Sequence, residues 1–126
     1  MNENEEAIIR AFITSTKQTR WLEKLASPKQ RGAMLDHLNH CLDLDERYAT
    51  LLPSNTDVVA LLLSRGAPKM CYALSCTQEI DGQVLPLTEA VSKAEQGGWG
   101  TILSCVPRQL AYYYDECGER RMLLER

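Results

Sequence analysis

The C-terminal stretch, residues 99–126, constrains the fold most because it reads as three strands in succession. Residues 101–106, 109–115 and 120–125 are rich in β-branched and aromatic side chains. Proline, glycine and charged residues at 106–108 and 116–119 interrupt the pattern. The stretch therefore predicts a meander of strands that forms the sheet on which the upstream residues pack.

The first half of the chain reads as helices. Residues 3–25 predict a helix with acidic residues at its start, and the polar segment 14–19 predicts a kink or break within it. Ser27 followed by Pro28 is typical of a second helix start. Shorter helical segments are predicted over 43–52 and 54–66, and the last is apolar on most sides, as a buried helix is.

The second half changes to a strand pattern. Residues 70–76 predict a strand, Asp81-Gly82 a hairpin turn to residues 84–85, and residues 88–96 a helix before the meander. Strand, helix and strand over 70–106 predict a right-handed parallel crossover. We expect an α+β fold: an N-terminal helical layer packed on a small mixed C-terminal sheet of about four strands, with one crossover helix. The prediction is a single domain, 1–126, with a helical half, 1–66, and a strand-rich half, 67–126.

Size and charge narrow the class of protein. The chain has 126 residues, a net charge of -3 and no apolar run near the ~20 residues that span a bilayer. Its acidic start is unlike a secretory signal. The five cysteines match no zinc or haem spacing. We therefore expect a cytoplasmic protein with free thiols, no cofactor and no membrane partner.

The most ligand-like cluster for a metal is His37, His40 and Cys41. On a helix His37 and Cys41 share a face, with His40 beside them. Cys41 also continues the apolar stripe of that helix, and a fourth ligand is not evident. These residues are weak metal candidates only, and the sequence predicts no metal site and no catalytic residue.

A basic segment lies on the predicted first helix. Arg10, Lys17 and Lys24 are seven residues apart and would share one helical face, with Arg20 close by. Such a stripe is typical of phosphate contacts in nucleic-acid-binding proteins. The alternative interpretation is a solvated face.

The three consecutive tyrosines 112–114 are the most suggestive feature for function. Strand residues alternate faces, so one face packs on the core while the other shows tyrosine to solvent or a partner, unless helices cover both. Tyrosine and arginine are favoured at interface centres. The predicted partner-binding residues are Tyr72, Trp99, Tyr112, Tyr114, Arg120 and Arg121.

These patterns favour a small cytoplasmic, non-enzymatic domain that binds another protein through its C-terminal aromatic and arginine hairpin. An inhibitor, an immunity or antitoxin-type protein and a regulatory subunit all fit, and a homodimer stays open. The first alternative is nucleic-acid binding through Arg10, Lys17, Arg20 and Lys24. The second is an enzyme of unrecognised type.

Overall fold

In the computed structural model, which describes residues 2–126, helices lie on both faces of a six-stranded antiparallel sheet. The α+β class is therefore confirmed. The strand order is β1-β6-β5-β4-β2-β3. The helices are α1 (Glu3–Phe12), α2 (Gln18–Ala26), α3 (Arg31–Asp36), α4 (Val58–Ser64) and α5 (Leu87–Gly97). The strands are β1 (Ala49–Leu51), β2 (Met70–Ser75), β3 (Val84–Pro86), β4 (Thr101–Val106), β5 (Leu110–Tyr114) and β6 (Arg121–Glu125).

The predicted first helix is broken at its polar middle. Asn2 caps α1 by accepting from the amides of Asn4 and Glu5. After α1 ends, Ile13 is extended and forms an isolated bridge with Leu44. Pairing with this later segment replaces the next helical turn, and a 3₁₀ turn then leads into α2.

The predicted parallel crossover and the mixed sheet are wrong. β2 and β4 pair antiparallel, with Tyr72 opposite Ser104. The reason is β3, which pairs antiparallel with β2 and so reverses the chain before α5. The crossover helix α5 consequently joins β3 to β4, which lie on either side of β2. The count of about four strands is also wrong, because β1 and β3 have three residues each and are too short to show alternation.

The predicted single helical layer is replaced by two. Helices α1, α2 and α3 cover one face, where Phe12 and Trp21 pack against Tyr113 in one buried cluster. Helices α4 and α5 cover the other face, where Leu62 belongs to a second buried cluster with Tyr112. Because β5 contributes to both clusters, every residue from Leu110 to Tyr114 is buried.

The helix predicted over 54–66 begins at Val58, whereas the helix predicted from Ser27 begins later than expected. Asp57 caps α4 through a 3.1 Å hydrogen bond from the amide of Ala60. Ser27 does not cap α3 with its hydroxyl. Its carbonyl instead accepts from the amides of Gln30 and Arg31, in a turn that delays the helix to Arg31.

The cysteines are free thiols, as predicted. Cys41, Cys71 and Cys105 are buried, Cys76 is half-buried and Cys117 is exposed. Of the helices within residues 2–126, none combines the length and the apolar character that crossing a membrane requires.

Candidate functional site

The tyrosines of the predicted partner surface are buried. Tyr112 is fully buried, Tyr114 is 6% exposed and Tyr72 is 5% exposed. Strand alternation does send Tyr112 and Tyr113 to opposite faces, but a helical layer covers each face. The prediction that Tyr72, Tyr112 and Tyr114 form an exposed surface is therefore wrong.

The three tyrosine hydroxyls have different environments. Tyr113 donates to the carbonyl of Leu38 at 2.7 Å and accepts from the amide of Cys41 at 3.0 Å. Tyr114 donates to the carbonyl of Glu95 at 3.3 Å. The hydroxyl of Tyr112 has no hydrogen-bond partner among residues 2–126. Burial is the main cause that raises the pKa of all three phenols.

The other predicted partner-binding residues divide into two kinds. Trp99 is 47% exposed and Arg120 is exposed. Arg121, by contrast, is mostly buried and donates to the carbonyls of Pro53 and Ser54 and to the carboxylate of Glu95. It connects β6 to the loop after β1 and to α5, so its guanidinium is already engaged.

Trp99 and Arg120 lie at the same end of the sheet as two exposed leucines. Trp99 comes just before β4, and Arg120 just before β6. Leu51 ends β1 opposite Met122 of β6 and is 61% exposed. Leu42 is 86% exposed and follows Cys41, whose amide is held by Tyr113 near the end of β5. We call Leu42, Leu51, Trp99 and Arg120 the Trp99-end surface.

Two contacts fix the backbone beneath the Trp99-end surface. His40 Nε2 lies 2.8 Å from Glu116 Oε2, which links the 3₁₀ turn before Leu42 to the β5–β6 connection. The amide of Gly100 donates to Asn39 Oδ1 at 2.7 Å. The sequence shows no sign of either contact, because each joins residues more than 60 positions apart.

The predicted basic stripe does not form. Arg10 lies on α1, Lys17 lies in the 3₁₀ turn, and Arg20 and Lys24 lie on α2. The seven-residue spacing assumed one continuous helix, and the break at Ile13 ends that alignment. Arg10 instead lies near two arginines from distant parts of the chain, Arg108 and Arg126. Arg10, Arg108 and Arg126 line a cavity of about 240 Å³ together with Ala11.

The weak metal candidates are dispersed. His37 to His40 form a 3₁₀ turn, so His37 and Cys41 do not share an α-helical face. The ring of His37 meets Trp21 edge-on, with centroids 6.4 Å apart. Cys41 is buried, which raises its thiol pKa to about 11. Across the described part of the chain, no three His, Cys, Asp or Glu side chains are placed to hold a metal ion.

A polar cavity of about 460 Å³, which the sequence did not predict, lies beside α1. There Arg31 donates to both oxygens of Glu5, at 2.7 Å each, and to the carboxylate of Asp81 at 3.1–3.2 Å. A further bond at 3.2 Å runs to the carbonyl of Leu25. Glu5 and Asp81 lie 26 and 50 residues from Arg31 in the sequence, and we call the three residues the Glu5–Arg31–Asp81 clasp.

The clasp is internally satisfied. Tyr72 donates to Glu5 at 2.5 Å and accepts from the side-chain amide of Asn2 at 2.9 Å. Asp81 also accepts from the amide of Ser75. The hydrogen bond to Glu5 is the main cause that raises the pKa of Arg31. Since the N–H groups of Arg31 all have acceptors, the clasp connects α1, α3 and the β2–β3 loop and leaves no donor of Arg31 for a ligand.

These features define an α+β protein with one antiparallel sheet between two helical layers and an exposed apolar surface at one sheet end. No family model, curated protein or solved structure matches the chain.

Proposed function

We propose that this is a non-enzymatic binding protein that recognises another protein through the Trp99-end surface. An inhibitor, an immunity or antitoxin-type protein and a regulatory subunit remain the kinds of protein it fits. The observation that carries the proposal is that Leu42, Leu51, Trp99 and Arg120 are all exposed at one end of the sheet. Three large exposed apolar side chains at the same end of a fold are more informative than one isolated exposed residue.

The composition of this surface suits the centre of an interface. Tryptophan and arginine are the residues most enriched among those that dominate binding energy. Covering the exposed apolar area of Leu42 and Trp99 would contribute about 25 cal/mol per Å² removed from water. The apolar side chains supply affinity, and Arg120 supplies a charge that a partner can recognise.

The loops that carry this surface are held in place by hydrogen bonds, which lowers the conformational entropy lost on binding. The buried hydroxyl of Tyr113 forms two hydrogen bonds with the backbone of residues 38–41. The His40–Glu116 contact and the Gly100–Asn39 hydrogen bond join the loops on which Leu42 and Trp99 lie. In this proposal the buried tyrosines and Arg121 position the surface, while Trp99 and Arg120 contact the partner.

The test is affinity capture from native lysate with quantitative mass spectrometry. The bait is the wild-type protein, the Leu42→Ala/Trp99→Ala double variant or the Met70→Ala/Val84→Ala control. Met70 and Val84 are exposed apolar residues, 45% and 56%, away from the Trp99-end surface. We expect one protein to bind the wild type and the control, and to bind the double variant with an affinity lower by about 2 kcal/mol or more.

Two outcomes would overturn the proposal. One is a partner retained equally by the double variant and the wild type, with both baits folded by circular dichroism. The other is a monomer that captures no protein above background. Sedimentation of the purified chain tests the homodimer separately, since a dimer that Trp99→Ala dissociates would identify the partner as a second copy.

A further inference from the structure

The turn between β4 and β5 places arginine where the backbone favours glycine. The amide of Gln109 donates to the carbonyl of Val106 at 3.0 Å, so Pro107 and Arg108 are the central residues of a β-turn. Arg108 has a φ of 65°. A turn with proline first and a positive φ second normally has glycine or asparagine at that second position. A strained non-glycine residue of this kind points to a role for its side chain.

The strained turn brings Arg108 to two other arginines. Arg10 comes from the last turn of α1 and Arg126 follows β6, where its amide donates to the carbonyl of Gln109. The three arginines line the cavity of about 240 Å³. Arg108 is exposed and forms no ion pair or hydrogen bond through its side chain with any residue in 2–126.

Two of the three guanidinium groups are held in position before any ligand arrives. Arg126 donates through Nη1 to the carbonyls of Arg10 and Ala11, at 3.5 and 3.3 Å, and lies 4.6 Å from the ring centroid of Tyr48. Arg10 donates through Nε to Glu6 at 3.1 Å. These contacts use only part of each guanidinium, so N–H groups of both remain for an anion.

We propose that Arg10, Arg108 and Arg126 bind a phosphate monoester or free phosphate. The lining of this cavity contains three arginines and no acidic residue, which suits a dianion. The nearest carboxylates lie outside the lining: Glu6 pairs with Arg10, and Asp45 acts on Arg126 but is paired with Arg47. The cavity holds several times the ~30 Å³ that one water occupies in the liquid. The site lies at the opposite end of the sheet from the Trp99-end surface, so it goes beyond the proposed protein binding.

A nucleic-acid backbone fits these residues less well. Its phosphates carry one charge each and are spread along the strand, so binding needs a row of cations. Lys17, Arg20 and Lys24 would have to extend the row, but they do not line the cavity. The arginines converge on one point, which favours a terminal phosphate.

The test is a calorimetric titration of the full chain with inorganic phosphate, glucose 6-phosphate and an RNA oligonucleotide without terminal phosphate, all at constant ionic strength. The main variant is Arg108→Gly, which removes one guanidinium and installs the residue that the turn favours. Arg108→Asn is the second variant, because asparagine also tolerates positive φ. Arg20→Ala is the control, with the same loss of charge at an exposed site on α2.

We expect saturable 1:1 binding of phosphate, weakened about tenfold or more in both Arg108 variants and unchanged in Arg20→Ala. The denaturant midpoint of Arg108→Gly should equal or exceed that of the wild type. Tighter binding of glucose 6-phosphate would identify a small phosphorylated molecule as the ligand, and equal or weaker binding would identify free phosphate. Absence of saturable binding, an equal loss in Arg20→Ala, or tighter binding of the RNA would overturn the proposal.

Discussion

The guanidinium of Arg31 donates to both carboxylate oxygens of Glu5, each over 2.7 Å, and so joins the start of α3 to the first turn of α1. The Glu5 side chain is 7% exposed and that of Arg31 26%. A bidentate pair this well enclosed is fixed in geometry and partly shielded from water. Its partner Asp81 extends the connection to the β2–β3 loop.

Removing Arg31 should therefore be costly. We expect Arg31→Ala to lower the free energy of unfolding by about 3 kcal/mol, because Glu5 would be left buried without its counter-charge. Lys93→Ala is the control, since Lys93 forms only surface ion pairs with Glu79 and Glu89 and its loss should lower stability far less than the loss of Arg31. Urea unfolding measures both. Equal costs for the two variants would show that the clasp contributes little.

Gly100 should not tolerate a methyl group. A Cβ there would lie 2.2 Å from the carbonyl carbon of Leu38 and 2.5 Å from the amide nitrogen of Asn39. Backbone atoms cannot rotate away, so we expect Gly100→Ala to cost about 3 kcal/mol or more. Gly32 of α3 has nothing within 4 Å of its added Cβ, and Gly32→Ala should stabilise by up to about 1 kcal/mol. Thermal unfolding compares the pair, and a mild effect at Gly100 would contradict the close approach.

The adjacent residues Tyr112 and Tyr113 should respond differently to loss of the hydroxyl. Tyr113→Phe should cost about 1–3 kcal/mol, because it leaves the buried amide of Cys41 and carbonyl of Leu38 without that partner. Tyr112→Phe should be neutral or stabilising, since its hydroxyl is buried without a partner in residues 2–126. Arg121 lies near the Tyr112 phenol, but its hydrogen bonds go elsewhere. Denaturant midpoints decide, and a larger loss in Tyr112→Phe would contradict this assignment.

Stability should fall above about pH 9, the ordinary pKa range of a thiol. Burial raises the pKa of Cys71 to about 11 and that of Cys105 to about 12. Between the unfolded and folded pKa values the unfolded chain holds fewer protons, so each thiol lowers stability by up to about 1.4 kcal/mol per pH unit. Urea unfolding under reducing conditions at pH 8 and pH 10 measures the slope. Cys105→Ala should flatten this slope, and an unchanged slope in that variant would contradict the role of the buried thiol.

Local features of the sequence determined the positions of several helices and strands. The β-branched and aromatic run at 99–126 predicted β4, β5 and β6, and the polar segment 14–19 predicted the break after α1. The helix predicted within residues 54–66 is present as α4. Each depends on side chains within a few residues of one another, which is the range over which propensity, capping and periodicity act.

Tertiary structure alone decided which surfaces are exposed and which residues meet. Alternation along 112–114 puts tyrosines on both faces, but only the packing of α4 and α5 decides that the second face is covered. The Glu5–Arg31–Asp81 clasp and the Arg10, Arg108 and Arg126 cavity join residues up to 116 positions apart. No local pattern specifies these contacts between distant residues, because they follow from the strand order and from the direction of the short strand β3. The periodicity of the sequence thus determined where helices and strands form. Long-range packing decided which of their side chains are buried and which can reach a partner.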